Sequence, residues 1–158
     1  MKKLFFDYII TVMQANPDVY FISAGLGWPR TDDLKKKFPK RFIQTEAAEQ
    51  TACDIAVGLA YSEKIPFVYT ITPFLLRAFE TLRTYVDHEY LHVCLVGAGR
   101  NNDYSKHDGF SHEAEDIPYI LAPLRSIIQY FPQNEKQMQT MIDKIIAKDG
   151  PAFISIPK

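Results

Sequence analysis

The side chains best able to do chemistry fall into three patterns. The first is His88-Glu89-Tyr90-Leu91-His92, which spells H-E-x-x-H. On a helix that spacing puts two imidazoles on one face to bind zinc, with the glutamate beside the metal-bound water. Here the strand-like run Val93-Cys94-Leu95-Val96-Gly97 follows at once. The pentapeptide should therefore span a helix end and a strand start, and the i, i+4 geometry is lost. A solvated connection is expected there, and no metal site. The second pattern is a pair of short glycine motifs, Gly25-Leu26-Gly27 and Gly97-Ala98-Gly99. Each resembles the start of a dinucleotide fingerprint but lacks the third glycine, so both read as structural turns.

The third pattern is distributed. Glu46, Glu49 and Gln50 lie at the entrance of an alanine-rich stretch, where an acid also suits the helix dipole. Phe74 and Arg77 open the next strand-to-helix unit, and Asp108 and His112 lie where a long polar loop meets a helix. A carboxylate, an aromatic with a cation, and an acid–imidazole pair thus fall at successive strand ends. Each has a plainer reading: first-turn acid, core phenylalanine, capping residues on an exposed loop.

The elements that must carry these groups are legible from hydrophobic periodicity. Helical spacing over Phe5 to Gln14 ends at Asn16-Pro17-Asp18. Strands are expected at Val19–Ser23, Arg41–Gln44, Pro66–Ile71, Leu91–Val96, Ser126–Phe131 and Ala152–Ile156. Between them lie helices. Thr31 is expected to cap a short one, and Ala47 to Tyr61 forms a longer one. Thr72-Pro73 should open another, with threonine as cap and proline in the first turn. Gly97 to Gly109 reads as a loop, followed by a helix from about Glu113 to Leu121. Asn134 and Gln137 have capping-box spacing for the last helix, which Gly150-Pro151 ends. Six strands alternating with helices predict an α/β fold: a mostly parallel sheet with helices on both faces. Ligands in such folds bind beyond the carboxyl ends of the strands.

Composition narrows the function. With 158 residues, 47 % hydrophobic and 23 % charged, one domain over 1–158 with its own core is expected. Eighteen basic and 19 acidic residues give a net charge of −1, which disfavours a nucleic-acid partner. Cys53 and Cys94 have no paired spacing, so a reducing, cytoplasmic setting is expected. No apolar run is long enough for a membrane span, and Asp7 breaks the one stretch that resembles a leader.

Four stretches together resemble the pyrimidine-binding domain of the transketolase family. They are Phe38-Pro39-Lys40-Arg41-Phe42-Ile43 leading to Ala47-Ala48-Glu49-Gln50 and Ile55-Ala56-Val57-Gly58; Lys64-Ile65-Pro66-Phe67-Val68-Tyr69 leading to Thr72-Pro73-Phe74; Asp108-Gly109-Phe110-Ser111-His112; and Gly150-Pro151-Ala152. The resemblance implies thiamine diphosphate as cofactor. It gives Glu49 the role of hydrogen-bonding the pyrimidine nitrogen, which favours the imino tautomer that takes the proton from carbon 2 of the thiazolium. Such a glutamate should be buried. Phe74 falls on the aromatic that stacks on the pyrimidine ring. Arg77 matches the arginine of the deoxyxylulose phosphate synthase branch and, with Glu49 and Phe74, is implied to bind the cofactor. Asp108 and His112 fall on substrate-contacting positions, where His112 can donate to an oxyanion or shuttle a proton.

The departures are informative. Ala24-Gly25-Leu26 lacks the acid of the family's A-D-L stretch, and nothing around Trp28-Pro29-Arg30 matches its phosphate-contacting serine. These enzymes hold pyrophosphate through magnesium on a separate domain marked by G-D-G, and this sequence has no G-D-G. The resemblance therefore implies one subunit of a split transferase, transketolase-like and active in carbohydrate metabolism. A partner subunit would hold magnesium and pyrophosphate, the assembly would be a heterotetramer with homodimer contacts, and ketoses and aldoses would be the substrates. Two alternatives stay open: a non-catalytic interaction or regulatory relative of the same fold, or a subunit of a 2-oxoacid decarboxylase or dehydrogenase.

Overall fold

Short, near-continuous apolar runs, buried on both faces, set the architecture. In the computed structural model, which describes residues 1–101, 103–104 and 106–158, β1 (Val19–Ser23), β2 (Phe42–Gln44), β3 (Ile65–Ile71), β4 (Cys94–Ala98), β5 (Ile128–Tyr130) and β6 (Ala152–Ile156) form one sheet. Every pairing is parallel, in the order β2-β1-β3-β4-β6-β5. The register aligns Phe21 with Phe67, Phe67 with Cys94, and Cys94 with Ala152.

Residues two apart share a face. Phe21, Phe67, Tyr69, Val96 and Ile154 pack against α1 (Lys2–Ala15), α2 (Arg30–Lys37) and α6 (Glu135–Ala147). Ile22, Val68, Leu95 and Phe153 point the other way, toward α3 (Glu49–Tyr61) and α5 (Ile117–Leu121). Each fully buried Phe, Leu or Ile contributes about 1.5–3 kcal/mol. Ala52 and Ala56 give α3 a small-residue inner face. The predicted α/β class thus holds, with a sheet that is wholly parallel.

Local chemistry accounts for the element ends. The Asn134 side chain accepts from Gln137 N at 3.0 Å and caps α6. At the end of α1, the Arg41 guanidinium donates to Met13 O at 2.8 Å and Asn16 O at 3.0 Å. It thereby satisfies carbonyls that a helix end leaves unpaired.

Several expected boundaries shift. Thr31 is buried inside α2, whose cap position is Pro29, so it does not cap. Thr72 does not cap its helix either: its hydroxyl donates to Gly99 O at 2.6 Å. The single helix expected after β3 is a composite. It begins as a 3-10 helix over Thr72–Ala78, has one α turn, α4 (Phe79–Thr81), and widens to a π turn over Leu82–Asp87. β4 begins at Cys94 and runs into the expected loop, because Gly97 pairs with both Thr70 and Ser155. That loop holds two 3-10 turns, Lys106–Asp108 and Phe110–His112, while its residues 102 and 105 lie outside the described set. The helix expected from Glu113 starts at Ile117, because Glu113 is extended.

The H-E-x-x-H stretch has the backbone expected of it. His88 closes the π turn, Tyr90 is left-handed with φ 56°, and β4 starts shortly after His92. His92 lies 2.7 Å from Ile145 O through Nε2. No helical face carries both imidazoles. Among the described residues no helix is long and apolar enough to cross a membrane.

Candidate active site

The strand order reverses direction between β1 and β3, and the loops after β2, β3 and β4 leave the same edge of the sheet. Glu49 is the first residue of α3, reached from β2 through a tight turn at Glu46, φ 50°. Gly25, φ 66°, allows this turn to lie close. A Cβ there would meet Glu46 C at 3.1 Å and Ala47 N at 3.2 Å. Gly97 and Gly99 likewise admit side chains: Thr72 and Phe153 crowd the first, Tyr104 the second. Both glycine motifs therefore serve close packing; Gly25-Leu26-Gly27 lies in the turn expected of it, whereas Gly97 and Ala98 belong to β4 and only Gly99 lies beyond it.

The Glu49 side chain is 1 % exposed, yet both carboxylate oxygens are partnered. Thr70 Oγ1 donates to Oε1 at 3.1 Å, and Arg77 Nη1 donates to Oε2 at 2.7 Å. Beside it, Gln50, Asp54 and Thr81 form a hydrogen-bonded set that ties α3 to α4.

Arg77 also stacks on Phe74, its guanidinium carbon 4.0 Å from the ring centroid. The 3-10 geometry explains the contact. At three residues per turn, positions i and i+3 eclipse, so Arg77 sits directly over Phe74. The His112 ring meets the Phe74 ring edge-on at 5.0 Å, and Tyr104 lies 5.5 Å from His112 on another side. Ser111 Oγ is 3.2 Å from His112 Nδ1.

Tyr104 is anchored by Lys2 Nζ, 3.3 Å from its hydroxyl, and by the Lys158 ammonium, 5.1 Å from its ring. Burial raises the Tyr104 pKa, and the Asp103 and Asp108 carboxylates add to the rise. Burial and the neighbouring Lys158 charge lower that of Lys2.

Glu49, Phe74, Arg77 and His112 therefore form one continuous cluster. Asp108 sits on the exposed 3-10 turn before His112, near enough to act on Tyr104 electrostatically. Sequence reasoning missed Thr70 and Tyr104. A hydroxyl in the apolar run of β3, and an aromatic in a polar loop, were the available signals.

Two cavities open beside the start of the 3-10 segment, the first lined in part by Thr72 and the second by Pro73. The larger, about 680 Å³, is lined by Arg100, Tyr119, Phe131 and Ser155. Its guanidinium is engaged by Ser155 O at 2.7 Å and Pro132 O at 3.1 Å, which gives Arg100 a structural task. The smaller, about 250 Å³, is lined by Phe74, Arg77, Phe110 and Ser111. Of the clustered side chains, Phe74 and Arg77 line the smaller one. Among the described residues no three His, Cys, Asp or Glu side chains group to hold a metal.

The fold and this cluster define an α/β protein whose site is built from strand-end loops around a buried carboxylate and a stacked aromatic. The chain belongs to the transketolase pyrimidine binding domain family, whose sequence pattern matches residues 1–158. A transketolase C-terminal section from Methanocaldococcus jannaschii is 28 % identical over 161 residues, covering all of this chain and 50 % of that protein. The 1-deoxy-D-xylulose-5-phosphate synthase of Prochlorococcus marinus is 29 % identical over 168 residues, covering 99 % of this chain and 24 % of that protein. Among solved structures, a split gene transketolase described as an inactive beta4 tetramer superposes with a TM-score of 0.85 at 26 % identity. That match covers 98 % of this chain and 50 % of the other. A Pichia stipitis transketolase complex with xylulose 5-phosphate shares the fold, with a TM-score of 0.85 at 14 % identity, over 98 % of this chain and 25 % of its own. The chain thus spans between a quarter and a half of the relatives it matches.

Proposed function

We propose that this chain is the pyrimidine-binding subunit of a split, thiamine diphosphate-dependent transketolase-like enzyme, acting as a single domain over residues 1–158. The observation that carries the reading is the Glu49 carboxylate, held almost wholly out of solvent beside an aromatic platform. The residues present fit the cofactor's ring. Phe74 already accepts a flat, nitrogen-rich group on its face, and Glu49 Oε2 already accepts an in-plane N–H from that same group.

When bound, thiamine diphosphate would supply an electron sink for carbon–carbon bond cleavage and formation. Glu49 would hold the pyrimidine ring and supply it with a carboxylate able to share a proton, its Oε2 being the oxygen that Arg77 engages in the free chain. Thr70 keeps Oε1 occupied, so one oxygen works while the other is fixed. Phe74 would form the wall of the ring pocket and exclude water from it, the face that the Arg77 guanidinium covers in the free chain. His112 is held by Phe74 and Tyr104 in ring contacts, and with Nδ1 engaged by Ser111, Nε2 is the nitrogen that meets the substrate. There it donates to the developing oxyanion. Asp108 accepts from a sugar hydroxyl. Ketose and aldose sugars are the proposed substrates. A separate subunit holds magnesium and pyrophosphate in a heterotetramer. A relative described as split, and one described as a C-terminal section, support the two-chain arrangement.

The test is reconstitution with a partner chain carrying G-D-G, thiamine diphosphate and magnesium, followed by a ketol-transfer assay. Activity is expected from the mixture and not from either chain alone. Glu49→Gln should lower it by at least two orders of magnitude. Undiminished activity in that variant would remove Glu49 from the mechanism. The pairing of Glu49 with Arg77 is also what a non-catalytic relative would display. An inactive mixture whose partner binds the cofactor equally well with and without this chain would favour that second reading.

A further inference from the structure

The two groups assigned above to the pyrimidine ring are already joined by a third. The Arg77 guanidinium donates to Glu49 Oε2 at 2.7 Å and lies 4.0 Å over the Phe74 ring. A guanidinium is a flat N–C–N unit with donors in its plane and faces that stack on aromatics. An aminopyrimidine edge is also a flat N–C–N unit with an in-plane donor. Arg77 therefore makes, at one time, both contacts that the ring would make. His112 covers the same phenylalanine from a second direction at 5.0 Å.

We propose that Arg77 is an affinity-determining residue, an internal surrogate that fills the pyrimidine site of the free chain and must withdraw before the cofactor ring enters. The inference rests on the reading that Glu49 and Phe74 bind that ring. Which partner yields is set by burial. The Glu49 side chain is 1 % exposed and also held by Thr70, whereas the Arg77 side chain is 49 % exposed. Arg77 can rotate its head group into solvent at little desolvation cost, and Glu49 cannot. The surrogate also serves the free chain, because it keeps a buried carboxylate paired while no ligand is present.

Calorimetric titration of the 158-residue chain with thiamine tests this, with each variant first checked for an unchanged circular dichroism spectrum. Arg77→Met keeps the aliphatic stem and removes the flat cation, and it is expected to bind thiamine at least tenfold more tightly than the native chain. The double variant Arg77→Met/Phe74→Ala should lose that gain. Arg77→Lys retains a charge for Glu49 but no stacking plane. It should tighten binding to a smaller degree, and it provides the comparison if the methionine variant does not fold. Binding by Arg77→Met or Arg77→Lys no tighter than native, with native binding lost in Phe74→Ala, overturns the surrogate and leaves the pyrimidine site standing. Absence of binding by every form, or native-like binding by Phe74→Ala, overturns the site and the surrogate together.

Discussion

Thr72 at the end of β3 donates its hydroxyl to the Gly99 carbonyl beyond β4, at 2.6 Å and out of contact with solvent. This bond ties together the two strand ends from which the site is built. Phe74 and Arg77 follow Thr72 directly, while Tyr104 and His112 follow Gly99. Gly97 makes the approach possible, since a Cβ there would lie 2.5 Å from Thr72 Oγ1.

Thr72→Val keeps the shape and removes the donor. The Gly99 carbonyl then stays buried without this partner, and a loss of about 1–3 kcal/mol is expected. Urea denaturation of the native chain and the variant gives the number. A change below about 0.5 kcal/mol, the size of an ordinary surface substitution, would mean that the bond contributes little.

Thr70→Val tests how Glu49 is held. The lost hydrogen bond joins a hydroxyl to a carboxylate, a class worth about 1.5–3 kcal/mol. Ketol transfer in the reconstituted mixture should fall about tenfold or more, and Thr70→Ser should restore most of it. Equal activities in the valine and serine variants would show that Glu49 needs no such orientation.

Tyr8 governs part of the alkaline stability. Its hydroxyl donates to Asp143 at 2.5 Å and joins α1 to α6. Burial first, then that bond and the Asp143 charge, push its pKa up to about 12. The folded state holds this proton more tightly than the unfolded chain does. The contribution is therefore complete below about pH 10 and is lost as pH rises toward 12. Tyr8→Phe should be less stable than native at pH 8, with the gap closing by pH 12. Parallel stability curves across that range would exclude the linkage.

The two cysteines should be silent. Both are free and buried, on opposite faces of the sheet. Burial, helped by Asp54 and Glu49, pushes Cys53 up to about 12, and burial raises Cys94 as well. Thiolate is the reactive form, so iodoacetamide at pH 8 should label neither in the folded protein and both in urea. Labelling of either thiol in the native state would contradict the packing.

Sequence alone determined the order of elements and the fold class, because both follow from local periodicity. Short β-branched and aromatic runs fixed the strands, the alanine-rich stretch fixed α3, and Asn134 with Gln137 fixed the start of α6. The resemblance singled out Glu49, Phe74, Arg77 and His112, and the fold brings all four into contact. Tertiary structure decided the rest. The segment after β3 carries a helical pattern from end to end. Yet it is a 3-10 helix at its start, where Thr72 is drawn to Gly99 rather than to its own backbone, and a π turn at its end. The Arg77–Glu49 pair joins residues 28 positions apart, and Thr70–Glu49 joins residues 21 apart. No period encodes such contacts. They depend on strand register and on the angle at which each loop leaves the sheet, and both are set only when the two faces of the sheet close over their cores.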